Sequence, residues 1–330
     1  MPEVFIVSSP GTKIFVRNGV VYAKSPDSDA NPITYDTDLV ILATGAVSIS
    51  GRALRRLSEL GVRLLVLGHR GHVVAEYRPI DRVNKTVEAR MAQYMAKLQG
   101  RALRLAAEMV RAKIVNQARL LRYIAKSRRE PWFRDEAYRV EDYAYELREL
   151  ARSEDLEPDM IRQVEAKSAK IYWQALASLI PQDYGFTGRD PQGDDPVNMA
   201  ISYAYAILYG VVYDALIVAG LDPYAGFLHS DRSGKPSLVY DYSDTFKPVA
   251  VDKAIFTRID EKMFDSYQGS LSYEARRIIA TRVTESLLAP VRDYSQGKKK
   301  PLRDHVYAYA WALAKALRSG SDYTGFIAVF

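Results

Sequence analysis

The chain has 330 residues, of which 48% are hydrophobic and 26% are charged, a balance typical of proteins that bury a large core. It contains no cysteine, which excludes disulfides, thiolate-bound zinc, iron–sulfur clusters and a cysteine nucleophile. The 46 Lys and Arg residues exceed the 40 Asp and Glu residues by six charges, which permits an anionic partner without demanding one.

Residues 1–80 are predicted to form a small β-rich domain. Two apolar runs flank Asn18-Gly19, the strongest short signal for a β-hairpin, because both turn positions favour a positive φ. A helix is predicted over 53–60, with Ser50 as its N-terminal cap and Gly61 as its stop. Further strands are predicted at 3–7, 39–44, 63–67 and 73–77.

The rest of the chain is predicted to be helical. The predicted helices cover 86–99, 101–129, 135–152, 159–179, 196–219, 239–258, 271–289 and 302–318. Strands followed by helices predict an α+β fold with two segregated domains, a small N-terminal β-strand domain (1–80) and a larger all-α domain (81–330). We see no apolar run approaching the roughly 18–20 residues of a membrane helix and no secretory signal, and therefore expect a cytoplasmic protein without a membrane partner.

The predicted helix over 101–129 carries a basic stripe. At 100° per residue, seven of its nine basic residues fall within an arc of about 80°. They are Arg101, Arg104, Arg111, Arg119, Arg122, Lys126 and Arg129. A row of guanidinium groups suits phosphates, because each planar fork donates two hydrogen bonds to one phosphate. A solvated helix face is an equally good interpretation of the same pattern.

His229 is the histidine with a candidate set of metal ligands. Asp241 and Asp244 are three residues apart and share one face of a predicted helix, and Asp252 returns to nearly the same face. Glu165 lies in the middle of an earlier helix, where it could equally face solvent. One imidazole with two or three carboxylates can bind Mg²⁺ or Mn²⁺, and Mn²⁺ suits the nitrogen better. Spacing alone does not establish that these residues converge.

Four segments of the helical half resemble the CRISPR-associated spacer integrase family. They are AKIVNQARLLR at 112–122, EAKSAKIYW at 165–173, GFTGRDPQGDDPVNMAISYAYAILY at 185–209 and LDPYAGFLHSDRSGKPSLVYDYSDTFKPVAVD at 221–252. Their order and spacing match the family over most of the helical half, and the β half matches less well. Ala166 stands where glycine is common in the family and Lys247 where arginine is common, and neither change removes a ligand.

The resemblance implies a metal-dependent DNA endonuclease and integrase with a β-rich domain before a helical catalytic domain. It assigns Glu165, His229 and Asp244 as ligands of Mg²⁺ or Mn²⁺, with Asp241 as an assisting catalytic residue. In integration, a 3′-hydroxyl of incoming DNA attacks a phosphodiester of the CRISPR repeat, and in nuclease mode water attacks instead. Because a ligating imidazole must be neutral, activity is expected to fall below about pH 6.

The resemblance also implies partners. They are double-stranded and branched DNA, a second copy of the chain joined through the β-rich domain, and a small ferredoxin-like CRISPR-associated adaptation subunit. Arg189, in the family-like segment GFTGRD, and the basic stripe would hold the DNA backbone. Two alternatives remain open at this point, a structure-specific junction nuclease of DNA repair and a non-catalytic DNA-binding scaffold. The complete ligand set disfavours the scaffold.

Overall fold

A computed structural model describes residues 3–68, 73–79, 87–230 and 234–330. Its N-terminal part contains two four-stranded sheets, ordered β1-β5-β7-β8 and β4-β3-β2-β6. The strands are β1 (Glu3–Val7), β2 (Thr12–Arg17), β3 (Val20–Lys24), β4 (Asn31–Ile33), β5 (Thr37–Leu42), β6 (Val47–Ile49), β7 (Arg63–Leu67) and β8 (Val73–Tyr77).

The local predictions for the β half are confirmed. Strands β2 and β3 form an antiparallel hairpin, and Asn18 and Gly19 at its turn have φ values of 50° and 78°. Helix α1 (Gly51–Leu60) begins where the Ser50 side chain accepts a hydrogen bond from the backbone of Ala53. It ends at Gly61, whose φ of 73° lies in the left-handed region that glycine adopts without a steric penalty.

The β half also contains a parallel crossover that the strands-first pattern did not predict. Strand β5 pairs in parallel with both β1 and β7, and the chain passes from β5 to β7 through β6 and α1. Strands β4 and β6 were missed because three residues are too few to show a period.

The larger part of the chain is helical, as predicted. The helices are α2 (Val87–Leu98), α3 (Arg101–Arg128), α4 (Trp132–Leu150), α5 (Pro158–Ala177), α6 (Pro196–Val218), α7 (Ser237–Asp244), α8 (Lys253–Phe256), α9 (Tyr273–Leu288) and α10 (Leu302–Ser319). It is not strictly all-α, because it includes five short strands. They are β9 (Ser266–Tyr267), β10 (Ser270–Leu271), β11 (Pro290–Asp293), β12 (Lys299–Pro301) and β13 (Ala328–Val329).

The single helix predicted over 239–258 is broken into three pieces. Helix α7 ends at Asp244, the segment Pro248–Asp252 is π-helical, and α8 follows it. Proline lacks a backbone N–H and its ring crowds the preceding turn, so Pro248 interrupts the regular α-helical hydrogen bonding. The break changes the direction in which side chains after Asp244 project.

Helix α6 lies at the centre of the molecule. Its apolar 18-residue window has a mean hydropathy of 1.6, so the expectation that no run is long and apolar enough to cross a membrane was wrong. Within the fold, 78% of that window is buried, as in a central core helix. The sheet containing β5 and β7 packs against it, and a Cβ on Gly210 of α6 would lie 3.1 Å from Cδ1 of Ile41.

A buried ion pair joins the two parts of the chain. Nη1 of Arg63, on β7, lies 2.7 Å from Oδ1 of Asp214 on α6, and the Tyr307 hydroxyl of α10 donates to Oδ2 at 2.5 Å. Asp214 is 1% exposed. The predicted linker at 78–85 lies mostly outside the described residues, so the division at residue 80 stays a prediction.

Candidate active site

Three of the predicted ligands line one cavity of about 360 Å³, namely Glu165 from α5, His229 from the loop after α6, and Asp244 from α7. Four cationic side chains share this cavity, Lys113, Arg189, Lys235 and Lys247. Aromatic walls are contributed by Trp173, Tyr205, Tyr209 and Tyr240. The cavity therefore combines carboxylates and an imidazole with cations that suit a polyanionic ligand.

Asp241 fixes the loop that carries His229. Its Oδ2 accepts hydrogen bonds from the backbone N–H groups of Phe227 at 2.6 Å and Leu228 at 3.0 Å. Its Oδ1 lies 3.1 Å from the backbone nitrogen of His229 and 2.5 Å from Nδ1 of the same residue. An ionised carboxylate only accepts hydrogen bonds, so Nδ1 carries the hydrogen and Nε2 is left with its lone pair. Asp241 thus acts by positioning His229 rather than by lining the cavity.

Two opposing effects act on the pKa of His229. Burial lowers the pKa of its imidazole, but the hydrogen bond and the charge of Asp241, with a further contribution from Asp244, outweigh burial and raise the pKa above its usual value. The imidazole side chain keeps 35% of its surface exposed, whereas Asp241 keeps 1%. The nitrogen that remains available is therefore on the accessible part of the pair.

The loop before His229 is held at two further points that the sequence did not reveal. Gln93 of α2 is fully buried, and its amide nitrogen donates to the carbonyls of Asp222 at 2.9 Å and Ala225 at 2.8 Å. Its amide oxygen accepts from the backbone of Asp222 at 2.8 Å. At Gly226, a Cβ would lie 2.6 Å from Cβ of Ser237, closer than real Cβ atoms approach. The only sequence signal for Gln93 is a polar residue on the buried face of a helix.

Glu165 and Asp244 share the ammonium of Lys113. Its Nζ lies 2.5 Å from Oε1 of Glu165 and 3.0 Å from Oδ2 of Asp244, so the two oxygens are no further apart than the sum of these distances. The Lys247 ammonium donates to the other oxygen of Asp244. Burial opposes ionisation of Asp244, but Lys113 and then Lys247 hold its pKa well below the usual range. Burial also opposes protonation of Lys113, yet the charges of Asp244 and Glu165 raise its pKa.

Asp252 lines the cavity and is held by two tyrosines rather than by an ion pair among the described residues. Its two oxygens accept hydrogen bonds from the hydroxyls of Tyr172 and Tyr205, both at 2.7 Å. Burial raises the pKa of Asp252 to about 6, although the two tyrosine hydrogen bonds act in the opposite direction. Asp252 is the last residue of the π-helical segment. Its side chain therefore does not point in the direction that one continuous α-helix from Asp241 would give it.

The donor set suits a hard divalent cation, but it is not arranged as a coordination sphere. Among the residues that the structure describes, no three carboxylate or imidazole groups already converge closely enough to hold a metal. Two carboxylates and an imidazole Nε2 on one cavity are ligands appropriate to Mg²⁺ or Mn²⁺. The Lys113 ammonium stands between the two carboxylates, so the residues fit the ion once this ammonium moves.

Most of the basic stripe of α3 faces away from the cavity. Lys113 and Gln117, the α3 residues that line the cavity, lie roughly 160–200° around the helix from the middle of the stripe. Arg101 and Arg119 donate to the carbonyls of Leu317 and Ala328. Arg111 pairs with Glu108 at 2.6 Å, and Arg122 pairs with Glu141. The exposed members are Arg104, Lys126 and Arg129.

Arg189 is held at the cavity by the segment that follows it. Asn198 accepts from the Arg189 guanidinium at 2.9 Å and donates to the carbonyl of Gly188 at 3.0 Å. Asp195 caps α6 by accepting from the backbone of Val197 and Asn198. The DPVN sequence therefore serves to begin α6 and to fix the loop that presents Arg189.

Comparison with known proteins gives a consistent result. The family model described as "CRISPR associated protein Cas1" matches residues 5–285. The chain is 59% identical over 329 residues to the CRISPR-associated endonuclease Cas1 of Hyperthermus butylicus, covering 99% of each. Its fold is similar to that of a casposase bound to integration product, with a TM-score of 0.81, 21% identity, and coverage of 98% of this chain and 92% of that one. It is also similar to a chain of a Cas6-RT-Cas1–Cas2 complex, with a TM-score of 0.72, 18% identity, and coverage of 97% and 35%.

Proposed function

Because the chain belongs to the family of CRISPR-associated protein Cas1, we propose that it is a metal-dependent DNA endonuclease and integrase that inserts spacer DNA during CRISPR adaptation. The observation that carries this proposal is the meeting of Glu165, His229 and Asp244 at one cavity from three separate parts of the chain. The nuclease and integrase class follows from the family, and the metal requirement and the mechanism are our proposals.

In the proposed integration step, the 3′-hydroxyl of the incoming DNA attacks a phosphorus atom of the repeat. A new P–O bond forms, the bond to the repeat's own 3′-oxygen breaks, and that oxygen takes up a proton. Glu165, Asp244 and Nε2 of His229 would bind Mg²⁺ or Mn²⁺, which when bound supplies neutralisation of phosphate charge and a lower pKa for the attacking oxygen. Asp241 keeps the hydrogen of His229 on Nδ1, so that Nε2 remains free to ligate.

Two of the cations at the cavity, Arg189 and Lys235, would hold the DNA backbone near the reacting phosphate. Arg189 and Lys235 line the cavity and form no ion pair with a carboxylate in the described part of the chain, so no protein carboxylate neutralises their charges. Contacts of this kind position DNA without reading its sequence and make binding strongly dependent on salt. Arg104, Lys126 and Arg129 remain candidates for outer contacts with the backbone, on another side of α3.

We propose that the chain works in an assembly in the cytoplasm. The solved Cas6-RT-Cas1–Cas2 complex supports a small CRISPR-associated adaptation subunit as a partner, and we expect this subunit to be ferredoxin-like. A second copy of the chain, joined through the β-rich domain, completes the proposed assembly. Double-stranded and branched DNA are the proposed substrates, and the similarity in fold to a casposase bound to integration product supports them.

A pair of variants tests the proposed chemistry. His229→Ala removes the candidate nitrogen ligand, and cleavage and strand transfer in Mn²⁺ are expected to fall by more than about 100-fold if the ion supplies several kcal/mol of charge stabilisation. Glu149→Gln alters an exposed carboxylate that pairs with Arg152 on the protein surface, and it should leave both activities unchanged. Full strand transfer by a folded His229→Ala protein would contradict the proposal and favour the scaffold alternative.

A further inference from the structure

The ammonium of Lys113 lies at the cavity but has no part in the proposed reaction. It touches both carboxylates that would bind the metal, at 2.5 Å for Glu165 and 3.0 Å for Asp244. The Lys113 side chain is only 15% exposed, and Asp244 is 5% exposed. A divalent ion shared by these carboxylates would require the same place, because a hard cation binds carboxylate oxygens at about 2.0–2.6 Å.

The two candidate carboxylate ligands are already paired with ammonium groups. Two carboxylates, Glu165 and Asp244, face two ammonium groups, Lys113 and Lys247. A divalent ion bound by the same oxygens would be repelled at short range by an ammonium that stayed in contact with them. Of the two carboxylates, Lys247 contacts that of Asp244, whereas Lys113 contacts both and therefore occupies the place that a shared ion would take.

The backbone around Lys113 is fixed, so any withdrawal must occur in the side chain. Asn116, one turn further along α3, donates to the carbonyls of Thr245 and Phe326, both at 2.9 Å. It also accepts from the backbone of Ala328 at 2.9 Å. These bonds hold α3 against the end of α7, next to Asp244. The four-carbon stem of a lysine can rotate its ammonium toward the open cavity without moving either helix.

We propose that Lys113 is a built-in cation that holds Glu165 and Asp244 together before metal binds, and that a divalent ion binds by displacing it. This inference rests on the proposed metal-dependent function. Lys113 is then a positioning residue, because it prepares the ligands and competes with the ion. In its absence the two carboxylates face each other with less compensation, which weakens the metal-free fold and strengthens the attraction for a divalent ion.

The test is a titration of the protein with Mn²⁺ alone, in which free Mn²⁺ is followed by electron paramagnetic resonance at pH 7.5. Lys113→Met removes the charge at nearly constant volume. It is expected to bind Mn²⁺ at least tenfold more tightly than the unaltered protein. Lys113→Arg retains a cation and should bind no more tightly than the unaltered protein. Lys253→Met, at a lysine that stacks on Tyr123 and Phe330, should change the affinity by less than twofold.

Thermal unfolding gives a second readout that does not depend on catalysis. In EDTA, Lys113→Met should melt below the unaltered protein, and adding Mn²⁺ should raise its melting temperature by more. If Lys113→Met folds poorly, Lys113→Gln provides the same comparison without the positive charge. Equal or weaker Mn²⁺ binding by a folded, uncharged variant overturns the inference.

The failure of the proposed function would look different. Glu165→Gln removes a ligand and should weaken Mn²⁺ binding whether or not Lys113 competes. If the unaltered protein binds Mn²⁺ and Glu165→Gln weakens binding, but the uncharged Lys113 variants do not bind more tightly, only the role of Lys113 is overturned. If neither the unaltered protein nor any variant binds Mn²⁺, the metal site and the role of Lys113 are overturned together.

Discussion

Asp241→Asn should lower both the stability of the protein and its affinity for a divalent ion. The carboxylate accepts four hydrogen bonds, two at each oxygen, from Phe227, Leu228 and His229. An asparagine amide has one oxygen and one NH₂ group, so at least one buried N–H loses its acceptor and the others exchange a charged acceptor for a neutral one. Hydrogen bonds to charged groups contribute about 1.5–3 kcal/mol each, so the free energy of unfolding should fall by roughly 2–4 kcal/mol.

The same substitution alters the imidazole. The amide orientation that loses fewest hydrogen bonds places NH₂ against Nδ1 of His229, which moves the ring hydrogen to Nε2 and removes its lone pair. Loss of such an orienting partner typically weakens metal affinity by 10–100-fold, and we expect a reduction of about that size for Mn²⁺.

Denaturant unfolding in EDTA, followed by circular dichroism, measures the stability change, and calorimetric titration with Mn²⁺ measures the affinity. Asp190→Asn is the matched control, because Asp190 is exposed and its carboxylate accepts one hydrogen bond, from Gln192. Its unfolding free energy should change by less than about 0.5 kcal/mol. An Asp241→Asn protein whose stability and Mn²⁺ affinity both match those of the control would refute the positioning role of Asp241.

Three further changes probe the surroundings of the cavity. Gly226→Ala should lower the free energy of unfolding by about 1–3 kcal/mol, because its Cβ would meet Cβ of Ser237 at 2.6 Å; unchanged chemical denaturation would contradict the close approach. Gln93→Leu leaves three backbone groups of the 222–225 loop unpaired, so hydrogen exchange in that loop should accelerate while that of β2 does not. Burial raises the pKa of Asp252 to about 6 in the folded state. The protonated Asp252 side chain therefore makes its full contribution to stability at pH values below about 4, and this contribution is lost as the pH rises through 6. The stability of the unaltered protein relative to Asp252→Asn should therefore fall by an amount on the order of 3 kcal/mol between pH 4 and 7, and a pH-independent difference in urea unfolding would count against it.

The elements with a strong local signal were predictable from the sequence. The Asn18-Gly19 turn, the Ser50 cap and the Gly61 stop each need only neighbouring residues, and all three are confirmed. The break at Pro248 carried a signal too, but the apolar period on both sides of it favoured one helix. The pairing of β5 with β1 and β7 had no local signal, because parallel partners are distant in sequence.

For the site, the sequence supplied residue types but not their roles. His229 and Asp241 were both singled out, yet only the structure gives Asp241 its four hydrogen bonds to the 227–229 loop. Nothing in the sequence distinguishes Lys113 from the other basic residues of its helix. Its importance depends on what α5 and α7 bring to it, and a helical wheel shows only the helix on which a residue lies.

The same limit applies to the basic stripe. The arc of basic side chains was correctly placed on one side of α3, but the wheel could not show that Leu317 and Ala328 would approach that side. Arg101 and Arg119 of the stripe instead donate hydrogen bonds to backbone carbonyls near the C-terminal end of the sequence.

The Arg63–Asp214 pair makes the helical part of the chain depend on the β-rich part for its stability. A fragment that starts at residue 81 would keep the acid of α6 but discard its guanidinium, and stranding one member of a buried pair typically costs about 3–5 kcal/mol. It would also uncover the apolar face of α6 on which the first sheet rests. We therefore expect such a fragment to aggregate. Its lack of activity would not be evidence against chemistry at the cavity.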